Sequence, residues 1–286
     1  MQNREIALIV DSCTDVPKHY VDTYGIYTVP LLVNYRDGSY LDRITITPQE
    51  VYDRFDQEIP TTSTPTLDSV KCVFKRVLGD GFRKAVVVTI SSGLSATNEM
   101  MSAVARDFEG ELETIVIDTK NIGMGAGLTA MRAARLIEQG VAFEDLEETL
   151  VQTVEDTKVF FCVDTLEYLH QGGRIGEVTY RVGSLLDMRP VISCNDRGVY
   201  YTVSKARGRK QSLKKALDQA VKFVSKFSRY NIAVVNGAAE VEAADVLGRL
   251  KERLPHYEEV SEGQISPVLV VHTGPGLIGI GVQGIR

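Results

Sequence analysis

Apolar residues along the first half of the chain alternate between short continuous runs and stretches with helical spacing. A run at 6–10 ends abruptly in Asp11 and Ser12. Thr47-Pro48-Gln49-Glu50 sets a hydroxyl three positions before a carboxylate, with proline at the first helical position, and this capping box opens a helix to about Phe55. The polar stretch Pro60-Thr61-Thr62-Ser63-Thr64-Pro65 then reads as a break. Val70, Phe74, Val77 and Leu78 share one face of a helix over 67–78, stopped by Gly79. The β-branched run at 85–90 suits a strand buried on both faces, and 114–117 repeats the pattern before Asp118 and Thr119. Between them lie a hydroxyl-rich loop, 91–97, and a helix over 98–108 with Met101, Val104, Ala105 and Phe108 on one face. Another helix is predicted over 127–139.

The second half has a different rhythm. An apolar strand at 159–163 leads to a helical turn and then Gln171-Gly172-Gly173-Arg174-Ile175-Gly176. Strands at 191–193 and 199–203 flank Asn195-Asp196-Arg197-Gly198, a hairpin signal. A helix around 212–227, a strand at 232–235 and a helix at 240–253 follow, and three strand-like pieces, 257–260, 269–271 and 278–282, close the chain. Strand–helix alternation implies right-handed βαβ units with helices on both sheet faces, whereas hairpins mixed with helices imply α+β. The expected fold is α/β with two domains. Residues 1–155 form a Rossmann-like parallel sheet flanked by helices, and 156–286 an α+β domain with a mixed or antiparallel sheet.

Composition narrows the function. The 286 residues are 44% hydrophobic and 24% charged, which excludes a wholly disordered or fibrous chain. A net charge of −6 gives no electrostatic reason to expect nucleic acid as a partner. No apolar run approaches the ~20 residues that cross a bilayer, and the start resembles no signal peptide, so a cytoplasmic location is expected. The cysteines Cys13, Cys72, Cys162 and Cys194 are scattered without a C-x-x-C and read as free thiols, with no metal site.

Hydroxyls recur where strands end. Ser12 and Thr14 follow the first run, Ser91, Ser92, Ser95 and Thr97 follow 85–90, and Thr119 follows 114–117. Ligands of open parallel sheets bind beyond the carboxyl ends of strands, where hydroxyls and helix N-termini make an anion site. Helix capping explains any one of these loops equally well. The glycines of Gly123-Met124-Gly125-Ala126-Gly127 depart from the dinucleotide fingerprint and fit a tight turn with close helix packing better. There is no P-loop and no G-x-S-x-G elbow. Arg174 in its glycine-rich turn is either an anion contact or a solvated cation, and His272 in His272-Thr273-Gly274-Pro275-Gly276 either meets a ligand or satisfies local hydrogen bonds. The basic stretch Lys205-Ala206-Arg207-Gly208-Arg209-Lys210 is a helix start or an anionic docking site.

Five pieces in chain order carry a resemblance: Val10-Asp11-Ser12-Cys13-Thr14-Asp15, Thr62-Ser63-Thr64-Pro65, Ser91 to Thr97, Gly172-Gly173-Arg174-Ile175 and His272 to Gly276. Together they resemble the DegV family, bacterial fatty-acid-binding proteins that include the FakB subunits of fatty acid kinase. Thr64 stands where the family commonly has Gln, and Ala96 where it commonly has Gly. The resemblance implies a long-chain, palmitate-like fatty acid between two domains, with no other cofactor. It also implies that Thr62 and Ser95 bind the carboxyl group, with Ser63 and Ser92 as neighbours that complete the site. Arg174, Arg207 and His272 would face the phosphoryl-transfer encounter with a partner kinase subunit (FakA-like) that makes the acyl phosphate for phospholipid synthesis. The chain itself would be a carrier and presenter rather than an enzyme, with no catalytic residue, no nucleic-acid partner and at most transient contact with a membrane surface. The competing expectation is an autonomous small-molecule phosphotransferase or hydrolase using the same hydroxyl loops.

Overall fold

A computed structural model describes residues 5–178 and 188–286; residues 1–4, part of the reading against a signal peptide, lie outside them. In chain order the first half contains β1 (Ile6–Asp11), α1 (Lys18–Tyr24), β2 (Tyr27–Val29), β3 (Leu32–Tyr35), β4 (Gly38–Leu41), α2 (Pro48–Arg54), β5 (Thr61–Ser63), α3 (Leu67–Gly79), β6 (Lys84–Thr89), α4 (Thr97–Asp107), β7 (Glu113–Asp118), α5 (Met124–Glu138) and α6 (Phe143–Glu155). The second half contains β8 (Thr157–Cys162), α7 (Glu167–Gln171), β9 (Val191–Cys194), β10 (Tyr200–Ser204), α8 (Arg209–Val224), β11 (Arg229–Gly237), α9 (Glu240–Arg253), β12 (Tyr257–Gln264), α10 (Pro267–Thr273) and β13 (Leu277–Ile285).

The β-branched runs form a parallel sheet in the order β2-β1-β6-β7. Its strands bury both faces: Ile9, Val87, Phe74 and Met101 pack on one side, Leu8, Val86, Val88, Ala130 and Leu146 on the other. The second half forms a six-stranded mixed sheet, β10-β9-β8-β13-β11-β12. Its outer face is covered by Leu213, Leu217, Val246 and Leu250 from α8 and α9. Its inner face, with Val159, Phe161, Ala233 and Val235, packs on α5 and α10.

Helix α5 is the layer between the two sheets. It is buried almost all round, as a helix covered on both sides must be. Ala130, Ala133 and Ala134 meet the parallel sheet, and Met124, Leu128 and Met131 meet the mixed one. Its glycines permit this. Gly123 turns with φ +54, a Cβ on Gly125 would sit 3.0 Å from Val159, and one on Gly127 would overlap the Thr14 carbonyl. The packing explanation for that glycine cluster therefore holds.

The α/β class, the hairpin β9–β10 and most elements match the sequence reading. Two pieces do not. Within 61–64, read as a loop, Thr61–Ser63 form edge strand β5 of a small antiparallel sheet, β4-β3-β5, with Thr62 opposite Val33. Residues 269–271, read as a strand, belong to helix α10. Ser266 caps that helix by accepting from the Leu269 N–H, and Pro267 occupies its first turn, so local capping overrides the β-branched composition.

Candidate functional site

The carboxyl ends of β1 and β6 are tied together by one side chain. Asp11 accepts from the Cys13 N–H at 2.9 Å and the Ile90 N–H at 2.7 Å. Burial pushes its carboxyl up to about 7, against the pull of those two donors. The hydroxyls just beyond these strands turn inward to structural partners. Ser12 donates to Asp42 at 2.5 Å, Thr14 to the Asp11 carbonyl at 2.7 Å, Ser91 to the Gly198 carbonyl at 2.8 Å and Thr119 to the Thr89 carbonyl at 2.7 Å. In these four the hydroxyls brace the loops that follow the strands.

A second set of polar groups converges on a small cavity of about 40 Å³ between the halves. Strand β5 brings Thr62 and Ser63, with Thr64 just after it; the loop before α4 brings Leu94 and Ser95; the turn after α7 brings Arg174; α10 brings Val268, Leu269, His272 and Thr273. Thr62 Oγ1 lies 2.6 Å from His272 Nε2. Arg174 reaches the Leu94 carbonyl with Nε at 3.4 Å and the Gly172 carbonyl at 2.8 Å. Ser95 Oγ is 2.8 Å from Thr97 Oγ1 and accepts the Thr97 N–H at 3.3 Å, so it caps α4 in place of Ala96, whose side chain makes no cap.

His272 is buried, and its Nδ1 has no partner. Burial first, and the Arg174 guanidinium second, push its pKa down to about 3, so the ring is neutral at physiological pH. A Cβ on Gly172 would overlap His272 Nδ1, so the Gly172-Gly173 pair makes room for the ring that holds Thr62.

Helix α10 owes its position to buried carboxylates of the first half. Asp15 accepts the Ser266 N–H at 3.0 Å, and Asp42 accepts the Val268 N–H at 3.1 Å. Negative charge at a helix N-terminus is favourable. Arg43 pairs with Asp15 at 2.7 Å and donates to the Gln264 carbonyl at 3.0 Å. Desolvation still dominates, and it raises the Asp15 carboxyl to about 6.

The polar cavity adjoins an apolar one of about 30 Å³. Ile122, Tyr200, Leu269 and Thr273 line both, and the second adds Met124, Val159, Phe161, Val235, Ile265, Leu277 and Gly279. The first cavity thus offers hydroxyls, an imidazole and a guanidinium, and the walls that only the second has are apolar side chains and glycine backbone. Larger hollows, about 760 Å³ beside α4 and β7 and about 490 Å³ beside β7 and α6, share no lining residue with either cavity.

Of the residues singled out in the sequence, Thr62, Ser63, Ser95, Arg174 and His272 line the polar cavity, although Ser63 is exposed and accepts from Asn34 at 3.2 Å. Two residues stand apart from this group. Ser92 is not among the cavity lining; it is exposed and bonded through Oγ and N to Asp118. Arg207 lies outside the cavity lining and is exposed, while its neighbour Arg209 is held by Glu242 at 2.8 Å. Sequence reasoning missed Cys13, Leu31, Ile122, Tyr200 and the apolar wall, since a cavity wall and a core read alike.

The comparisons with known proteins give this arrangement a context. The DegV family model matches residues 5–284. The chain belongs to the DegV family. A DegV domain-containing protein of Clostridium acetobutylicum is 40% identical over 276 residues, covering 96% of this chain and 98% of the relative. Among solved structures, a DegV family protein from Thermus thermophilus described by its fatty acid binding superposes with a TM-score of 0.89 at 28% identity, covering 98% of this chain and 100% of that one. A stearic-acid-binding protein from Eubacterium ventriosum gives 0.88 at 28% identity, covering 98% of each. In this DegV chain, no described helix is long and apolar enough to cross a membrane, and the described residues contain no His/Cys/Asp/Glu cluster placed to hold a metal.

Proposed function

We propose that this DegV chain binds a long-chain fatty acid between its two domains and presents the carboxyl group to a partner kinase. The observation that carries the reading is that the polar cavity adjoins the apolar one across four shared wall residues, which an acyl chain would part to make a single passage. An amphiphile with one small polar head matches such a wall. The fatty-acid-binding proteins from Thermus and Eubacterium, similar across their length, support the same ligand class.

The head group falls to Thr62 and Ser95. A hydroxyl has one proton and two acceptor sites. If the neutral His272 donates its Nε2–H to Thr62, the Thr62 proton is free for a carboxylate oxygen. Arg174 adds positive charge beside the same cavity without being buried in an ion pair, so the acid is attracted but not locked in. Ser63 stands at the cavity rim, and Arg207 belongs to an exposed surface suited to the partner. Burying the tail stabilises the complex by roughly 0.8 kcal/mol per CH₂. An acyl chain occupies more room than the two cavities hold, so binding moves wall side chains, with the unbranched Met124 the most adaptable of them.

The phosphoryl-transfer chemistry is assigned to the partner, because the chain has no P-loop to cradle ATP phosphates. Mass spectrometry of the denatured protein from a bacterial host tests the ligand, and incubation with a fatty acid kinase subunit, ATP and the loaded protein tests presentation. Co-purified acyl chains and kinase-dependent acyl phosphate are expected. Protein free of acyl chains and unable to take up added fatty acid refutes the binding reading, and turnover by the isolated chain refutes the carrier role.

A further inference from the structure

The central strand β13 carries an irregularity on its inner face. Ile278, Ile280 and Val282 point outward into the core under α8 and α9. Leu277, Gly279 and Gly281 point inward, so two successive inward positions carry no side chain. The paired strands place Phe161 and Val235 beside Gly279, and Val159 and Ala233 beside Gly281. Gly alone is a poor strand residue, and in a strand centre it marks close approach of another group. At Gly281 that group is helix α5: a Cβ there would meet Leu128 Cδ1 at 3.1 Å and the Met124 carbonyl at 3.6 Å. At Gly279 no helix fills the hollow. A Cβ there would meet Val235 Cγ2 at 3.0 Å and then only Leu277 and Phe161 at 3.7 and 3.9 Å, and the apolar cavity extends to this point.

We propose that Gly279 is a specificity-determining residue, where the missing side chain sets how long an acyl tail the chain accepts; this rests on the fatty-acid reading above. The methyl end of the tail lies against Gly279, Phe161, Val235 and Leu277. The head is held at the other end of the passage, so every methylene added or removed is felt here. Gly279→Val fills the hollow with the side chain of its neighbours' type. Phe161→Ala enlarges the same end without touching Thr62, Ser95 or His272.

The experiment is a competition series of lauric, myristic, palmitic and stearic acids against wild type and the two variants, with thermal melts to confirm folding. Gly279→Val is expected to shift the stearate-to-myristate affinity ratio toward myristate by about tenfold, the loss of burial of one or two methylenes. Phe161→Ala is expected to shift the ratio toward stearate. Opposite shifts cannot come from a general loss of stability, and if Gly279→Val does not fold, the Phe161→Ala shift decides alone. Wild type that binds the series with a folded Gly279→Val of unchanged ratio overturns the proposal while leaving the fatty-acid reading intact. So does a Phe161→Ala ratio that stays fixed. Wild type that binds none of the acids overturns both.

Discussion

His272 shows how one residue combines structure and ligand chemistry. Its neutral ring bonds Thr62 at 2.6 Å, and its pKa lies at about 3 because burial and Arg174 both oppose its proton. An unfolded chain takes up that proton near 6.5, and the folded one refuses it until about 3. His272 therefore withdraws stability as pH falls below 6.5, by up to about 1.4 kcal/mol per pH unit, and contributes no such loss above it. Nitrogen chemical shifts of the His272 ring are expected to stay those of the neutral form from pH 8 to 5; a titration near the ordinary histidine value contradicts the burial argument. Thr62→Ala combined with Ser95→Ala removes two hydrogen bonds to a charged group, each worth about 1.5–3 kcal/mol. Fatty acid affinity by calorimetry is expected to fall about a hundredfold or more, with a melting temperature near wild type. Unchanged affinity places the head group elsewhere.

At the scale of the element, α10 connects the halves to the site. Asp15 and Asp42 hold its N-terminal N–H groups, and it carries His272 at its other end. Ser266→Ala removes the cap and is expected to lower stability by about 1 kcal/mol in a denaturant titration. A larger effect on fatty acid affinity than on stability would show that the cap also positions His272. Gly172→Ala forces a methyl against His272 Nδ1 and is expected to weaken fatty acid binding while the second-half core stays intact. Far-ultraviolet circular dichroism and binding isotherms of the same sample separate the two effects. Helix α10 was illegible in the sequence because Val268-Leu269-Val270-Val271 has the composition of a buried strand, and only Ser266-Pro267 signals otherwise. Helix α6 was legible but unread: Phe143, Leu146 and Leu150 keep helical spacing and are all buried. The parallel strands were plain because their continuous β-branched runs lack the Ser-Pro start that opens α10 and suit strands buried on both faces.

Across the whole molecule, polar bridges tie the first half to the second around the passage. Tyr20 donates to Glu259 at 2.7 Å, Arg135 pairs with Glu259 at 2.8 Å, and Ser91 donates to the Gly198 carbonyl. The halves thus meet through specific contacts rather than a featureless apolar seam. The change of strand rhythm divides the sequence into two halves, and its hydroxyls and the resemblance point to Thr62 and Ser95, which both line the polar cavity. The apolar end was not legible, because the inward face of a sheet has the same residue types whether it meets a helix or a ligand, and Gly279 becomes informative only beside Val235 and Phe161. Ser92, a hydroxyl in the same loop as Ser95, bonds Asp118 and is not part of the cavity lining, which its residue type alone does not reveal.

The most direct measurement is a crystal structure of the protein with a fatty acid brominated at its methyl end, the bromine located by anomalous scattering. The expected result has the carboxylate within hydrogen-bond distance of Thr62 and Ser95 and the bromine beside Gly279 and Phe161, with the tail between the sheets. A carboxylate bound away from both hydroxyls, or a bromine in one of the open surface hollows beside β7, contradicts it.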